Sequence, residues 1–467
     1  MKKFCYSLVL IVVCCMMVFT GCSSDKGLKD NPPTNATIVG NGGYAVVKGD
    51  YLYYTNGFIE DYKNELDDEN TDNVFGEVTF GAIYRTKLSN YSLSKDSNGF
   101  LNKTECVVPK VVGFENGGFY IIGDYIYYAT PHMEREKESG TNESTLRNDL
   151  INFNRIRIDG TGNKSIYVSD TTLTQDQWKL YSVGEDVYLV VAETESSKTT
   201  LKSIKITSKG KTTETTLATD VTSYALYEDK ISNSATQNIY FTSAVADGSS
   251  FKGNALKCVN ITNGNVTPLF ESNDTYNVVS YANETLYYTK AVKYNDKTQT
   301  ELISRSVNNF SSAIENTIFG SSYSKYLVSD FNAEYIVALD SEKALRVSKY
   351  GQTEMVLTSG VSSLIDFVGN YVFYLDDNNS IKKVDITADS YIAEDAINTD
   401  KTLLNSNAKY VDVNGEKLFV FASYTASDGS THYYLNMVTG TDAEFVGYFS
   451  GGHTPAQPEQ DGTIWIS

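Results

Sequence analysis

The hydrophobic positions of the chain fall in short runs of roughly four to eight residues, and polar turn residues bound each run. Val, Ile, Thr and Tyr dominate these runs, which is typical of β-strands. The clearest runs follow directly on a glycine or asparagine turn and are aromatic: Gly49–Tyr54, Gly123–Tyr128, Asn283–Tyr288 and Gly369–Tyr374. Their recurrence, every ~40 to 75 residues, predicts a repeat architecture.

Each repeat has the same internal order. A first strand such as Phe119–Ile122 precedes the turn, and the aromatic second strand follows it. After a variable loop, a third strand alternates apolar and basic residues, as in Ile83–Leu88, and a more apolar fourth strand closes the repeat. Tight turns such as Asp159-Gly160 favour hairpins. Four antiparallel strands in meander order are one blade of a β-propeller.

We therefore predict an all-β fold, a single β-propeller over residues 40–455. Repeats begin near residues 42, 117, 178, 222, 276, 325, 362 and 409, which predicts eight four-stranded blades. Seven blades are the alternative, because the fourth and sixth repeats keep an aromatic strand but lack the Gly-Asp turn. No blade covers its own apolar faces, so the ring should close. The candidates for a ring-closing strand are Ala36–Val39 and Gly462–Ile466, the latter in a C-terminal tail of residues 456–467.

One segment departs from the β pattern. Glu134–Leu150 is the best helix candidate in the body of the chain, but it is mostly polar and lies inside a repeat. A long loop is the alternative.

The N-terminus has the features of a targeting segment. Lys2 and Lys3 precede the apolar stretch Leu8–Phe19, which is too short to span a bilayer and so predicts a signal peptide over residues 1–21. The following Thr20–Ser24 resembles the lipobox of bacterial lipoproteins, although Phe19 stands where Leu or Val is usual. An ordinary secretory signal with a chance cysteine is the alternative.

That resemblance implies that Cys22 is lipidated, with palmitate among its acyl chains, and becomes the first residue of the mature protein. It implies a location at the extracytoplasmic face of the cell membrane. Residues 22–39 are polar and rich in turn formers, and we predict a flexible tether there.

The net charge of the chain limits its possible partners. The chain has 39 basic and 58 acidic residues, a net charge of −19 that becomes −21 when Lys2 and Lys3 leave with the signal. A chain this acidic is repelled by nucleic acid, so no nucleic-acid partner is predicted.

Of six cysteines only Cys106 and Cys258 remain in the body, in the first and fourth repeats. We predict two buried thiols too far apart for a disulfide.

The sequence contains no recognisable catalytic or metal-binding motif. The three histidines, His132, His432 and His453, have no ligand spacing, and no nucleophile elbow or phosphate loop occurs. The acidic stretches Asp67–Asp72 and Asp376–Asn379 lack the spacing of a calcium loop. We predict no metal, no cofactor and no identifiable catalytic residue.

Two insertions are the candidate binding edge. The first repeat contains a long acidic insertion with the aromatic residues Phe58, Tyr62, Phe75 and Phe80. The second contains the insertion Pro131–Asn148, which includes His132 and Arg135. Aromatic side chains in long loops beside a rigid scaffold are typical of recognition surfaces. Surface decoration without a binding role is the alternative.

The lipobox, the Gly-Asp-Tyr-Ile-Tyr-Tyr unit at Gly123 and the Arg-Ile-Asp-Gly strand at Arg157 together resemble bacterial lipoproteins with an uncharacterised propeller domain. That domain is similar to the YWTD-type propellers of low-density-lipoprotein receptors, although Tyr53–Asn56 is only close to the strict signature. The resemblance implies a membrane-anchored binding or scaffold protein, whose propeller surface binds a protein or a cell-wall glycan. A surface carbohydrate-active enzyme with its site at the propeller channel is the alternative. A substrate-capture protein for a transporter is disfavoured, since two α/β lobes would be expected.

Overall fold

The computed structural model describes residues 27–32, 38–39, 42–43, 45–55, 83–87, 105–108, 118–132, 135–137, 144–146, 149–226, 237–247, 250–271, 274–282, 284–294, 297–321, 323, 325–328, 335–349, 354–378, 380–396, 408–414, 417–425, 431–439 and 442–448. Of residues 408–448 only the backbone is described. These parts of the chain contain no α-helix, and therefore none that could span a membrane; one 3₁₀ turn occurs at Gln175–Gln177.

Successive strands pair antiparallel in meander units of four, which we number in chain order. Unit 1 consists of Ala45–Lys48, Tyr51–Thr55, Ile83–Lys87 and Glu105–Val108, and unit 2 of Phe119–Ile122, Tyr125–Pro131, Ile151–Arg157 and Lys164–Val168. Unit 3 consists of Trp178–Val183, Asp186–Glu195, Lys198–Ile206 and Thr212–Ala225. Unit 4 begins with the same strand, Thr212–Ala225, and continues with Asn238–Asp247, Ser250–Asn260 and Val266–Glu271. Unit 5 consists of Tyr276–Ala282, Thr285–Tyr294, Lys297–Ser306 and Asn316–Phe319, and unit 6 of Lys325–Val328, Tyr335–Leu339, Leu345–Lys349 and Met355–Thr358. Unit 7 consists of Val361–Val368, Tyr371–Asp376, Ile381–Asp385 and Glu394–Asp395. Unit 8 consists of Ala408–Asn414, Lys417–Thr425, Thr431–Thr439 and Asp442–Tyr448.

The strand Thr212–Ala225 belongs to two units. Its first half pairs with the third strand of unit 3, and its second half pairs with the second strand of unit 4. Asp220, with φ of 52°, lies close to the point where the partner changes. Counted as meander units, the described strands give eight; counted as separate sheets of four or more strands, they give seven.

The first strands of the units lie side by side around a ring. Those of units 4 to 8 follow one another, and the first strand of unit 8 lies beside the first strand of unit 1, which is next to that of unit 2. Between units 2 and 3, Trp178 meets Tyr120 and Phe153 edge-on, with ring centroids 5.7 and 5.1 Å apart. This closed radial order of meander sheets is a β-propeller, and it confirms the predicted all-β propeller.

Apolar clusters fill the spaces between neighbouring units. One cluster joins Leu52 and Tyr54 of unit 1 to Ile121 of unit 2, and another joins Val190 of unit 3 to Tyr276 of unit 5 through unit 4. Burial of one such side chain stabilises the fold by about 1.5–3 kcal/mol. Each unit therefore depends on its neighbours, as the repeat pattern predicted.

Two expectations about particular segments require correction. Within Glu134–Leu150 the structure describes neither a helix nor an irregular loop but a hairpin of Arg135–Lys137 with Ser144–Leu146. The reason is that the flanking strands of unit 2 stay paired up to Pro131 and Ile151, which brings the ends of the insertion together in antiparallel register.

The N-terminal strand candidate does not complete the last unit. The part of it that is described, Ile38–Val39, pairs with Ile121 and Ile122 at the inner edge of unit 2. The other candidate, Gly462–Ile466, lies outside the described residues. Units 8 and 1 instead meet through their own first strands.

Candidate binding face

The two faces of the ring carry different connections. Because successive strands alternate in direction, the first-to-second and third-to-fourth connections share one face, which we call the turn face. The residue after the third strand donates a hydrogen bond to a carbonyl of the first-to-second turn in units 2, 5 and 7: Ile158 N to Asp124 O, 2.9 Å; Val307 N to Glu284 O, 2.9 Å; and Ile386 N to Asn370 O, 3.0 Å. The second-to-third connections lie on the opposite side, the hairpin face.

The first-to-second turns are tight. Gly49, Gly123, Gly184 and Gly369 have φ between 58° and 62°, a left-handed conformation in which any side chain would be strained. This is the physical reason for the Gly-Asp turn that marks the repeats in the sequence.

On the hairpin face several units project beyond the ring. In units 3, 4 and 5 the second strand continues four residues past its last pair with the first strand, for example from Val191 to Glu195. Four residues of strand add about 13 Å. Units 2 and 8 continue for three residues, and in unit 2 the hairpin at Arg135–Lys137 follows.

Units 6 and 7 lack this projection. Their second strands end at Leu339 and Asp376, which are also the last residues paired with the first strand. An aspartate closes each short turn: the Oδ1 atom of Asp340 accepts from the backbone N–H of Glu342 and Ala344, and Asp376 accepts in the same way from Asn378 and Ser380. Burial acts to raise the pKa of Asp340, but these N–H groups and Arg346 lower it overall.

The base of the unit 3 hairpin is held by an ionic network. Lys202 contacts Asp170, lies 2.7 Å from Oε2 of the buried Glu193, and is 3.5 Å from Glu214. The hydroxyl of Tyr167, in the outermost strand of unit 2, donates to Glu193 Oε1 at 2.9 Å. Burial acts to lower the pKa of Lys202, but its hydrogen bonds raise it overall. The network links two units and positions the hairpin.

The basic residues of the third strands have a structural role that the sequence analysis did not identify. In five units such a residue forms an ion pair with an acidic residue in or just before the fourth strand: Arg85–Glu105, Lys202–Glu214, Arg305–Glu315, Arg346–Glu354 and Lys382–Asp395. The alternation of apolar and basic residues was visible in the sequence. The acidic partners were not, because they follow at irregular distances along the chain.

The structure places two of the predicted binding residues on the hairpin face. His132 follows the second strand of unit 2, and its backbone N–H donates to Leu150 O at 2.9 Å. Arg135 lies opposite Leu146 in the projecting hairpin. Phe58, Tyr62, Phe75, Phe80 and Cys22 lie outside the described residues. The insertion that contains the four aromatic residues connects the second and third strands of unit 1, so it leaves the ring at the hairpin face too.

Acidic residues of the first strands are the candidates for catalysis in the described part of the chain. In the described part of the chain no three His, Cys, Asp or Glu residues are grouped so that they could bind a metal ion. The described first strands contain two acidic residues that occupy equivalent positions: Asp366 opposite Phe373 in unit 7, and Asp412 opposite Phe419 in unit 8. Asp366 accepts a hydrogen bond from the N–H of Phe367 at 2.8 Å.

No known protein family and no curated protein matches the chain. Solved structures to which it is similar include BamB from Moraxella catarrhalis, with 10% identity over 89% of this chain and 97% of that one and a TM-score of 0.37. Sqt1 from Saccharomyces cerevisiae has 9% identity, coverage of 69% and 89%, and a TM-score of 0.35. A eukaryotic initiation factor has 11% identity, coverage of 92% of both chains, and a TM-score of 0.40. These likenesses are weak and carry no argument about function; the fold follows from the strand order.

Proposed function

We propose that the chain is a lipid-anchored binding protein at the extracytoplasmic face of the cell membrane, which uses the hairpin face of its propeller to bind a protein or a cell-wall polymer. The observation that carries the proposal is the difference between the two faces. The turn face has minimal glycine turns, whereas hairpins project from the other face in units 2, 3, 4, 5 and 8.

Projecting hairpins are not needed to close the ring. Units 6 and 7 are complete without them. A strand that continues past its neighbour presents an edge of backbone N–H and C=O groups, which natural proteins usually keep short. A ring of such edges forms a broad, uneven surface, which suits a macromolecule better than a small ligand that needs a closed cavity.

The lipid anchor is supported by the lipobox resemblance at Cys22. Each buried CH₂ group of an acyl chain contributes about 0.8 kcal/mol to membrane binding, so stable anchoring takes more than one chain. The acidic charge of the mature body makes electrostatic attachment to anionic lipids unfavourable.

Cross-linking in intact membranes followed by recovery of the lipidated protein tests the binding face. One variant would have shortened hairpins, with Thr194–Thr199 in unit 3 and Val292–Gln299 in unit 5 each replaced by Asn-Gly. A matched control would change the turn face through Glu185→Ala and Asn370→Ala. We expect recovery of the partner to fall about tenfold, equivalent to ~1.4 kcal/mol, in the shortened variant only. Equal recovery from both variants would show that the hairpin face is not the binding surface.

The alternative, a carbohydrate-active enzyme with its site at the channel, has one observation in its favour: Asp366 and Asp412 occupy equivalent positions on neighbouring first strands. Glycosidases use two carboxyl groups about 5 to 9 Å apart. Release of reducing ends from cell-wall polysaccharides, abolished in an Asp366→Asn and Asp412→Asn double variant, would establish the enzyme. Polysaccharide binding without cleavage would exclude it.

A further inference from the structure

Part of the predicted tether is packed against the propeller. We call Gly27–Pro32 the N-terminal strap. It meets Arg85, a third-strand residue of unit 1 whose side chain is fully buried. The Nη1 atom of Arg85 donates to Asn31 Oδ1 and Nη2 donates to Lys29 O, both at 2.6 Å. Nε donates to Glu105 Oε2 at 2.7 Å, so every nitrogen of the guanidinium has an acceptor. Two of the three acceptors belong to the strap.

The strap also contacts unit 2. The backbone N–H of Leu28 donates to Asp159 O at 2.8 Å, and the Leu28 side chain packs against the apolar cluster between units 1 and 2. Asn31 Nδ2 donates back to Leu28 O at 3.0 Å, which fixes the shape of the strap itself. The strap therefore bridges two units.

The contacts place the strap at the rim of the turn face. Asp159 lies in the third-to-fourth turn of unit 2, and Asp30 lies 3.9 Å from Lys87, the last residue of the third strand of unit 1. Both are at the turn-face ends of their strands.

From this position, only five residue steps separate Gly27 from Cys22. A fully extended chain covers at most ~3.6 Å per residue, so the strap lies within about 18 Å of a lipidated Cys22. A tether that stayed free as far as residue 39 would reach about 60 Å and would allow every orientation of the ring.

We propose that the strap holds the propeller in one orientation on the membrane, with the turn-face rim of units 1 and 2 next to the bilayer and the hairpin face directed away from it. This inference rests on the lipid anchoring of the proposed function. It also narrows the partner, because a hairpin face directed away from the bilayer meets the cell wall or the exposed parts of other proteins rather than lipid headgroups.

Energy transfer from a site-specific dye to headgroup-labelled lipid measures this orientation. The lipidated full-length protein, with Cys106→Ala and Cys258→Ala, would be reconstituted in phosphatidylglycerol–phosphatidylethanolamine vesicles. Two exposed positions at opposite ends of one strand of unit 3 provide a matched pair, Glu185→Cys on the turn face and Glu195→Cys on the hairpin face. They are about 30 Å apart. We expect clearly higher transfer from position 185; equal transfer, or higher transfer from position 195, would overturn the proposal.

Two further variants distinguish the effect of the strap on the orientation from the effect of the anchor. A flexible Gly-Ser insertion of about 20 residues between Cys22 and Gly27 adds a root-mean-square span of about 25 Å and leaves the strap intact. It should lower transfer from position 185 while the protein stays on the vesicles; unchanged transfer would contradict the proposal. In a Leu28→Ala and Asn31→Ala variant, the two positions should become equal, and a retained difference would mean that the strap does not set the orientation.

The anchor has its own control. Cys22→Ala should leave the protein in the soluble fraction. Membrane attachment that survives this change would refute the lipid anchor, and the orientation with it, whereas loss of attachment together with equal transfer in the parent protein would refute the orientation alone.

Discussion

Neighbouring units are joined in two different ways in this molecule. Units 3 and 4 share the 14-residue strand Thr212–Ala225, so backbone hydrogen bonds run without interruption from one unit into the next. Units 1 and 2 share no strand. Their junction includes an apolar cluster, the strap, which is attached through Arg85, and a backbone hydrogen bond from Phe119 N to Gly43 O at 2.9 Å. Backbone hydrogen bonds do not depend on side-chain identity, so the junction of units 1 and 2, which relies on side chains, should be the more sensitive to point substitutions.

The largest expected effect is that of Arg85→Ala. The substitution leaves Glu105 without its buried partner and removes both hydrogen bonds to the strap. Arg85 is fully buried whereas the Glu105 side chain is 40% exposed, so the cost arises from three lost hydrogen bonds to a charged group; each contributes about 1.5–3 kcal/mol, and we expect a total loss of about 3 kcal/mol or more. Lys382→Ala in unit 7 is the control, because both members of its ion pair with Asp395 are partly exposed and a loss of about 1 kcal/mol or less is expected. Urea denaturation measures both, and similar losses would mean that the strap contacts contribute little.

A smaller effect is expected when one hydrogen bond is removed from each junction. Asn31→Ala removes an acceptor of a charged donor, and we expect a loss of about 1–2 kcal/mol. At the other junction Ser203 Oγ donates to Ile261 O at 2.8 Å, and Ser203→Ala should cost about 0.5–1 kcal/mol, since the shared strand remains. The free energy of unfolding of the two variants gives the comparison, which a larger loss from Ser203→Ala would reverse.

The two body cysteines report local opening at the two junctions. Burial raises the pKa of the Cys106 thiol to about 12, and burial also raises the pKa of Cys258. A raised thiol pKa stabilises the fold below the unfolded pKa of about 8.5, and this contribution is lost as the pH rises towards 12.

In a chain that begins at Ser23, Ellman's reagent at pH 8 should react with both thiols far more slowly than with a free thiol. Asn31→Ala should accelerate the reaction of Cys106, which packs against the same apolar cluster as Leu28 of the strap, and leave that of Cys258 unchanged. Acceleration of both would indicate global rather than local opening.

The smallest effect should come from the exposed ion pair of Lys198 with Asp220 in the shared strand. The Lys198 and Asp220 side chains are 74% and 63% exposed, with 3.0 Å between the charged atoms. Such a pair contributes about 0–0.5 kcal/mol, so Lys198→Ala should leave thermal unfolding nearly unchanged. A clear drop in the unfolding temperature would show that this exposed ion pair, too, stabilises the junction of units 3 and 4.

Local signals in the sequence predicted most of the fold. The aromatic second strands and the glycine turns before them are contiguous patterns, and the structure bears them out even in unit 6, where Tyr335–Leu339 lacks a Gly-Asp turn. The shared strand was not predicted, because Thr212–Ala225 is rich in threonine and has no turn that separates its two halves. A strand that changes partner has no local pattern of its own.

The candidate site was less predictable. The connections that leave the hairpin face follow from strand order, so the face of the two insertions could be inferred once a meander was assumed. The packing of the strap against units 1 and 2 could not be predicted. Asn31 and Arg85 are 54 residues apart in the chain, and a polar segment with two prolines has the composition of a free linker. Its packing depends on contacts with distant residues, among them the Arg85 guanidinium and the Asp159 carbonyl, which neither composition nor periodicity encodes.

The short aspartate-closed turns of units 6 and 7 give the hairpin face a preferred direction. Hairpins project from this face at units 2 to 5 and at unit 8, whereas two consecutive units, 6 and 7, have short turns, so the border of the face is open on one side. An extended molecule that lies across it meets no wall on that side. If the hairpin face is the binding surface, as proposed, an extended ligand would therefore leave it over units 6 and 7.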